Sequence, residues 1–394
     1  MSQKRVCIFL VAFLVGAFVI GLLPRPAAAE ETLKIGSIWG LSGPFSQLGV
    51  VCRDGAALAE DWINTKGGVS VQGKKYKIQL IVEDNKNSAA GSVSAATKLI
   101  FKDKVKFTTG MNIPFQIEAA ETVTEQAKVI LSTGKAANLI PKNRFSFSST
   151  QGFTAPIPNL YDFLKATYPD AKTVSFMVND EAGAKITGEV SRNIATAHGY
   201  KLQDTNLVQW GAKDLYPTWT KILKDKPDAV DIGISTPDDL AAKARQGREV
   251  GYKGPMLTCN TGDPEVFIHL IGKDATDFIF AGYVPTAPDT PEMVKTIVKL
   301  WDQKYKKPFS LDAVDGFSSV WALVQAIEKA QSLDPEAVAN AWEKMTSIET
   351  PTGVGKMGGM KAFGINHMVF GPAPVTLLKN GKAEKTIWYK PVDM

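Results

Sequence analysis

The run Leu33-Lys34-Ile35-Gly36-Ser37-Ile38-Trp39 is short, apolar and partly β-branched, and together with the segments directly after it this run decides the fold. A loop, Leu41 to Leu48, leads into a helical pattern from about Gly49 to Thr65. That pattern stops at Lys66-Gly67-Gly68, because a glycine just past the last turn can take the left-handed conformation that closes a helix. Lys75 to Glu83 then alternates as a second strand. Strand, helix and strand in this order form a βαβ unit, whose crossover requires a parallel sheet covered by helices.

The same alternation extends outward. Ala89 to Lys102 reads as a helix, Lys106 to Gly110 as a strand, Ile117 to Ala127 as a helix and Val129 to Thr133 as a strand, which completes one doubly wound lobe by about residue 150. The pattern then restarts. Strands are expected at Thr173–Val178, Lys201–Val208, Ala229–Ser235 and Pro255–Cys259, with helices at Ala184–Gly199, Tyr216–Asp225 and Asp238–Val250 between them. Two α/β lobes of one architecture are the simplest account, joined by short ordered crossings near residues 150 and 284. Helices at Pro291–Tyr305, Asp312–Lys329 and Pro335–Lys344 precede a glycine-rich tail of short strands that completes one lobe or crosses back to the other.

The N-terminus carries Lys4 and Arg5, an apolar run from Val6 to Leu23, and Ala27-Ala28-Ala29 before Glu30-Glu31. That order is a secretory signal peptide, with cleavage expected after Ala29; an uncleaved anchor is the competing reading of the apolar run. Cys7 lies inside the run, away from the cleavage region, and is not placed to become a lipidated first residue. The processed protein is therefore expected free in the periplasm. The formal charge of +5 falls to +2 once Lys4, Arg5 and Arg25 are removed, too even a balance to track a nucleic acid or an anionic membrane. Cys52 and Cys259 survive processing without metal or CxxC spacing and read as unpaired structural residues.

Signals for an enzyme are scarce. His198, His269 and His367 stand apart from one another and from acids at ligand spacing, so no metal site is expected. There is no nucleophile elbow and no P-loop. A literal G-x-G-x-x-G at Gly353, Gly355 and Gly358 sits in a Pro- and Gly-rich stretch that neither follows a buried strand nor opens a helix, so it is not read as a dinucleotide site. The acid pairs Glu83-Asp84 and Asp180-Glu181 read as solvated strand ends. No catalytic residue and no cofactor are assigned.

The positive signal is in the loops at the C-terminal ends of the strands, where an open α/β sheet binds ligands because backbone amides and helix N-termini converge there. These are Leu41–Leu48, Asn112–Gln116 and Gly134–Asn138 in the first lobe, and Asn179–Gly183, Ser235–Asp239 and Asn260–Pro264 in the second. Two lobes facing each other through such loops would enclose a small ligand.

At this point the residues carry a family likeness. Ile35-Gly36 leading to Leu41-Ser42-Gly43-Pro44-Phe45-Ser46-Gln47-Leu48-Gly49, then Gly55-Ala56 and Ile63-Asn64-Thr65-Lys66-Gly67-Gly68-Val69, resembles the opening of the branched-chain amino-acid binding proteins of ABC importers. Glu83-Asp84-Asn85, Ala95 to Ile100, Arg245 to Tyr252, and Thr352-Gly353 running to Phe363–His367 continue the resemblance over nearly the whole processed chain. It implies a type I periplasmic binding fold: two Rossmann-like lobes, three crossovers and a hinge. Lobe one would take residues 32–150 and 285–355, and lobe two 151–284 and 356–394. The implied partners are a small-molecule ligand and the membrane permease of an ABC importer, with the binding protein a monomer that performs no catalysis. The same fold also serves periplasmic sensors that present a ligand to a membrane receptor, and that alternative stays open, as does ordinary branched-chain amino-acid binding.

The departures bear on the ligand. Amino-acid binding members hold the α-carboxylate with small hydroxylated residues and pair the ammonium with a second-lobe acid. Here the matching stretch is Asn112-Ile113-Pro114-Phe115, in which Pro114 has no N–H to give, and the acid position is Asn260. An α-ammonium would be left as an unpaired buried charge, costing several kcal/mol. The expected ligand is therefore a small organic acid or amide, aromatic ones included. Apolar surface would come from Phe45, Leu48, Ile113 and Phe115, flanked by Gln47, Asn112, Pro114 and Ala136. Lys135, with Thr133, would meet a carboxylate, and Asp180, Ser235, Thr236 and Asn260 would supply polar contacts from lobe two.

Overall fold

A computed structural model describes residues 31–43, 45–134, 139–152 and 154–391; the expected signal peptide, residues 1–29, lies outside them. In chain order the elements are β1 (Glu31–Trp39), α1 (Ser46–Thr65), β2 (Val69–Val71), β3 (Lys74–Asp84), α2 (Ala89–Thr97), β4 (Phe107–Gly110), α3 (Pro114–Ala127), β5 (Ile130–Thr133) and β6 (Ser146–Ser148). There follow α4 (Ile157–Thr167), β7 (Thr173–Asn179), α5 (Ala182–Ala197), β8 (Lys201–Val208), α6 (Tyr216–Lys224), β9 (Ala229–Asp231), α7 (Pro237–Glu249), β10 (Met256–Thr258), α8 (Pro264–Ile271) and β11 (Phe278–Ala281). The last part holds α9 (Glu292–Tyr305), α10 (Asp312–Ala330), α11 (Pro335–Trp342), β12 (Ile348–Thr350), β13 (Gly353–Gly358), α12 (Met360–Phe363), β14 (Met368–Phe370), β15 (Ala373–Lys379) and β16 (Lys382–Tyr389).

Among the described residues these strands form two sheets. The first has the order β12-β13-β14-β6-β5-β4-β1-β3-β2 and the second β16-β15-β11-β10-β9-β7-β8. In each, the central strands run parallel; antiparallel strands close both edges of the first sheet and one edge of the second, whose other edge strand, β8, is parallel to β7. Each sheet is doubly wound, so the fold class read from the sequence is the one observed: two α/β lobes of the type I periplasmic binding architecture.

α1 forms because Cys52, Ala56, Ala59 and Ile63 recur at helical spacing on one buried face, the pattern of a helix docked on a sheet. It ends as read: Gly67 and Gly68 have φ of 102° and 75°, and Gly68 N–H donates to Ile63 O at 3.0 Å. α10 buries most of its length in the first lobe. It lies backbone to backbone against α1, since a Cβ on Gly316 would stand 1.8 Å from Cys52 O and one on Gly55 1.9 Å from Ala313 O. In the second lobe one core, around Trp219, Phe267 and Phe280, and another, around Tyr161, Phe163 and Phe176, cover the two faces of the sheet.

Several local expectations change. Phe45 takes a left-handed φ of 62° and α1 begins at Ser46, so Gln47 and Leu48 belong to a helix rather than a loop. Pro114 is a first-turn residue of α3, where a missing N–H costs nothing and the fixed φ suits the helix. The strand expected at Ala229–Ser235 ends at Asp231, whose Oδ1 accepts the N–H of Gly233 at 2.9 Å. β2, β6, β11, α4 and α8 were not read from the sequence. The boundary set at residues 355/356 is also corrected: β13 and β14 pair in the first sheet and β15 in the second, so the third crossing lies at Gly371-Pro372.

Candidate functional site

The C-terminal ends of both parallel sheets open toward the space between the lobes. A cavity of about 210 Å³ lies there. Lobe one contributes Leu311, Asp312, Val314, Asp315 and Ser318 from the start of α10, together with Val369; lobe two contributes Cys259 to Gly262 and Phe280. The chain crossings complete it with Ser149 to Gly152, Gly282-Tyr283 and Gly371-Pro372. All three crossings bound the cavity, so a ligand there touches both lobes and the segments that set their angle.

Of the candidate ligand-contact side chains within the described residues, Asn260 alone lines this cavity, together with Thr261 and Gly262 of the same expected loop. Its Oδ1 accepts the N–H of Gly262 at 2.9 Å, and its carbonyl accepts the hydroxyl of Thr258 at 2.9 Å. Phe45, Leu48, Asn112 and Ile113 gather in a neighbouring recess of lobe one with Trp39, Cys52 and Gln116. The two places are connected. Asn112 Nδ2 donates to Cys52 Sγ at 3.1 Å, and that thiol donates to Asp312 O at 3.3 Å. Thr236 instead lines a hollow on lobe two beside Asp238 and Asp239, about 430 Å³ in volume. Gln47 and Pro114 line neither, and Phe115 is exposed on α3. Lys135 and Ala136 lie outside the described residues.

Three candidates are occupied in holding the fold. Thr133 is buried; its hydroxyl donates to Phe147 O at 3.2 Å, and its carbonyl accepts from Ser149 N at 2.9 Å and Ser149 Oγ at 2.7 Å, which anchors the first crossing. Asp180 pairs with Lys185 and accepts from Gln209 Nε2 at 3.1 Å. Ser235 donates to Asp239 Oδ2 at 2.6 Å.

That last bond belongs to a buried network beneath the cleft face of lobe two. Lys243, 0 % exposed, directs Nζ at Asn179 Oδ1 (2.6 Å), Ile232 O (3.0 Å) and Asp239 Oδ2 (3.3 Å). Asp239 also accepts from Asn179 Nδ2 at 3.1 Å and from Gly211 N at 3.0 Å. Burial pushes the Asp239 carboxyl up, but the Lys243 charge and these donors outweigh it and hold it below its ordinary value. A single buried ammonium thus ties together the loops that follow β7, β8 and β9. Nearby, burial drives the Asp231 carboxyl up although Ser191, Gly233 and Tyr161 all donate to it.

Sequence reasoning missed Tyr283, Asp312, Asp315 and Ser318. Asp312 and Asp315 stand in the first turn of α10, where acids are ordinary because they complement the helix dipole. Among the described residues no group of three or more His, Cys, Asp or Glu is placed to hold a metal ion, and no helix is long and apolar enough to cross a membrane. Cys52 and Cys259 are both buried. Burial pushes the Cys259 thiol well above its ordinary value, so it lines the cavity as a neutral thiol.

Two α/β lobes, three crossings and a ligand-sized cavity between them define a two-lobed solute-binding protein. A family model described as "Periplasmic binding protein" matches residues 32–382, and the chain belongs to that family. The chain is 26% identical over 349 residues to a leucine-, isoleucine-, valine-, threonine- and alanine-binding protein of Pseudomonas aeruginosa, covering 86% of this chain and 89% of that one. Its structure is similar to the branched-chain amino acid transporter substrate-binding protein LivJ of Streptococcus pneumoniae in complex with isoleucine, with a TM-score of 0.72, 21% identity and coverage of 92% and 100%. It is also similar to an ABC-transporter solute-binding protein of Rhodopseudomonas palustris BisB5 in complex with 3,4-dihydroxybenzoic acid, with a TM-score of 0.71, 19% identity and coverage of 92% and 98%. Proteins of this family bind small molecules and work with ABC-transporter permeases; these relatives are transport proteins, not enzymes.

Proposed function

We propose that the chain is the periplasmic solute-binding component of an ABC importer, exported through residues 1–29 and acting as a monomer. Its ligand is a small organic acid or amide, aromatic ones included, rather than an α-amino acid. The observation that carries this reading is Asn260. It stands on the cavity wall as a neutral side chain whose oxygen already accepts from Gly262 N, so it offers an ammonium no charge to pair with. The apolar lining by Phe280, Leu311, Val314, Val369 and Pro372 suits an aromatic or aliphatic body. The solved structure holding 3,4-dihydroxybenzoic acid supports the reading, in that the same architecture takes such a ligand.

Amino-acid binding is the second reading, and Asp312 and Asp315 on the same wall favour it, because a carboxylate can face an ammonium. A thermal-shift screen of residues 30–394 against aromatic acids, aliphatic acids, amides and amino acids separates the two, since a ligand specific to the folded state raises Tm by mass action. The first reading expects shifts with acids or amides that lack an α-ammonium, reduced in Lys135→Ala. Shifts confined to leucine-like compounds would overturn it.

A further inference from the structure

Of the three histidines only His367 is fully buried, at 0 % exposure. It stands one residue before β14, whose end leads into the third crossing. Its ring is stacked at 3.9 Å between centroids on Phe147 of β6, the strand that leads into the first crossing. The backbone joins the same two strands, since Ser148 N–H donates to His367 O at 2.8 Å and Met368 pairs with Ser148. Both ring nitrogens are engaged. Nδ1 is 2.8 Å from Ser146 O, and Nε2 is 2.7 Å from Oε1 of Glu343, which follows the last residue of α11.

A carbonyl and a carboxylate only accept. A neutral imidazole has one N–H, so it serves one of these oxygens and turns a lone pair on the other at hydrogen-bond distance; a doubly protonated ring serves both. The charge would not be isolated. Glu343 is its counter-ion and also accepts from Arg144 Nη1 at 2.8 Å, while Arg144 Nε lies 3.6 Å from Glu336 Oε1. Two positive and two negative groups then balance, which is what a buried charge requires. Burial, the largest single influence, favours the neutral ring, and Arg144 acts in the same sense; the Glu343 carboxylate and the Ser146 carbonyl favour the charged one. The acids of α3 engage β6 and the segment before it: Glu121 accepts from Ser146 Oγ at 2.5 Å, with Glu118 and Lys142 acting on it through space, and Glu125 accepts from Arg144 N and Phe145 N, both at 2.8 Å. We propose that His367 is an imidazolium at neutral pH, a buried ion that pins β14 to β6 and α11 beneath the first and third crossings, and that release of its proton loosens both crossings. Since the crossings set the angle between the lobes, the hinge becomes responsive to pH.

Nuclear magnetic resonance of residues 30–394 labelled with 15N in histidine tests it without any ligand. His367→Gln identifies the ring signals by their loss. At pH 7 both ring nitrogens of His367 are expected to carry protons, although an ordinary histidine titrates near 6.5. As pH rises and the ring loses its proton, hydrogen exchange at Ser148 N–H should quicken by about tenfold or more beyond the rise common to exposed amides, because a hydrogen bond from a charged donor is lost. His367→Gln has one donor group in place of two and should abolish that step. A ring with a single protonated nitrogen at pH 7 would overturn the proposal, and this arm needs only the native protein, so it stands whether or not the variant folds. A doubly protonated ring whose titration leaves Ser148 exchange unchanged would overturn its hold on the crossings.

Discussion

Replacing Lys243 with Met is the sharpest test of how the second lobe holds its cleft face. The methionine matches the lysine stem in length and keeps its packing, so the change isolates the ammonium. In the native protein that ammonium is 3.3 Å from Asp239 Oδ2, with both side chains almost fully buried. At the effective dielectric suited to protein sites, two unit charges at this distance attract by roughly 5 kcal/mol, part of which offsets their desolvation. The variant also strips donors from Asn179 Oδ1 and Ile232 O. Removing one member of a buried pair typically costs about 3–5 kcal/mol, because the other charge stays buried and uncompensated, and that range is the expected loss. Urea unfolding followed by circular dichroism measures it. Adding Asp239→Asn removes the stranded charge while keeping an acceptor for Ser235, so the double variant should be more stable than Lys243→Met alone. A loss below about 1 kcal/mol, or a double variant less stable than the single one, would refute the account of Lys243 as the ion that holds these loops.

Three further outcomes are expected from the geometry. Glu121 is buried, which raises its carboxyl to about 7 despite the hydroxyl of Ser146 that donates to it. Its folded value lies above the unfolded one, so the stability it contributes is fully present below about pH 4.5 and is lost as pH rises toward 7, at no more than about 1.4 kcal/mol per pH unit. Glu121→Gln should flatten that part of the stability profile, and an unchanged slope in urea titrations at pH 4.5 to 7 would contradict it. Gly316→Ala places a Cβ 1.8 Å from Cys52 O and must force α10 off α1; a loss of about 1–3 kcal/mol or more is expected, read as a drop in Tm, and a neutral effect would count against the close contact. Cys52 and Cys259 are buried and should remain unmodified by a thiol reagent in the native protein and react together on unfolding, as followed by intact mass; modification of either in the folded protein would count against their burial.

The βαβ units were legible because their periods are local. β1 and α1 show their buried faces in the spacing of Ile35, Cys52, Ala56 and Ile63, and Gly67-Gly68 marks the stop. β6 was not legible, since Ser146-Phe147-Ser148 is too short and polar to alternate, and parallel pairing with β5 and β14 makes it a strand. The same long-range pairing, Met368 beside Ser148, moved the third crossing from residue 355 to Gly371-Pro372. No local period encodes such a contact.

The candidate site divides in the same way. Asn260 was found because it follows a strand, and ligand loops follow strands. Pro114 misled because a missing N–H reads as a defect in a loop and as a neutral choice at a helix start. Asp312, Asp315 and Ser318 reach the cavity only because α10 presses onto α1. The trace of that contact was nevertheless in the sequence, as Gly55 and Gly316 inside helices where glycine costs about 1 kcal/mol relative to alanine. Such a cost is repaid by a backbone approach no other residue permits, and here the approach sets Asp312, Asp315 and Ser318 of α10 between the lobes. A glycine in mid-helix was thus a signal about the site, readable only once the helix that meets it is known.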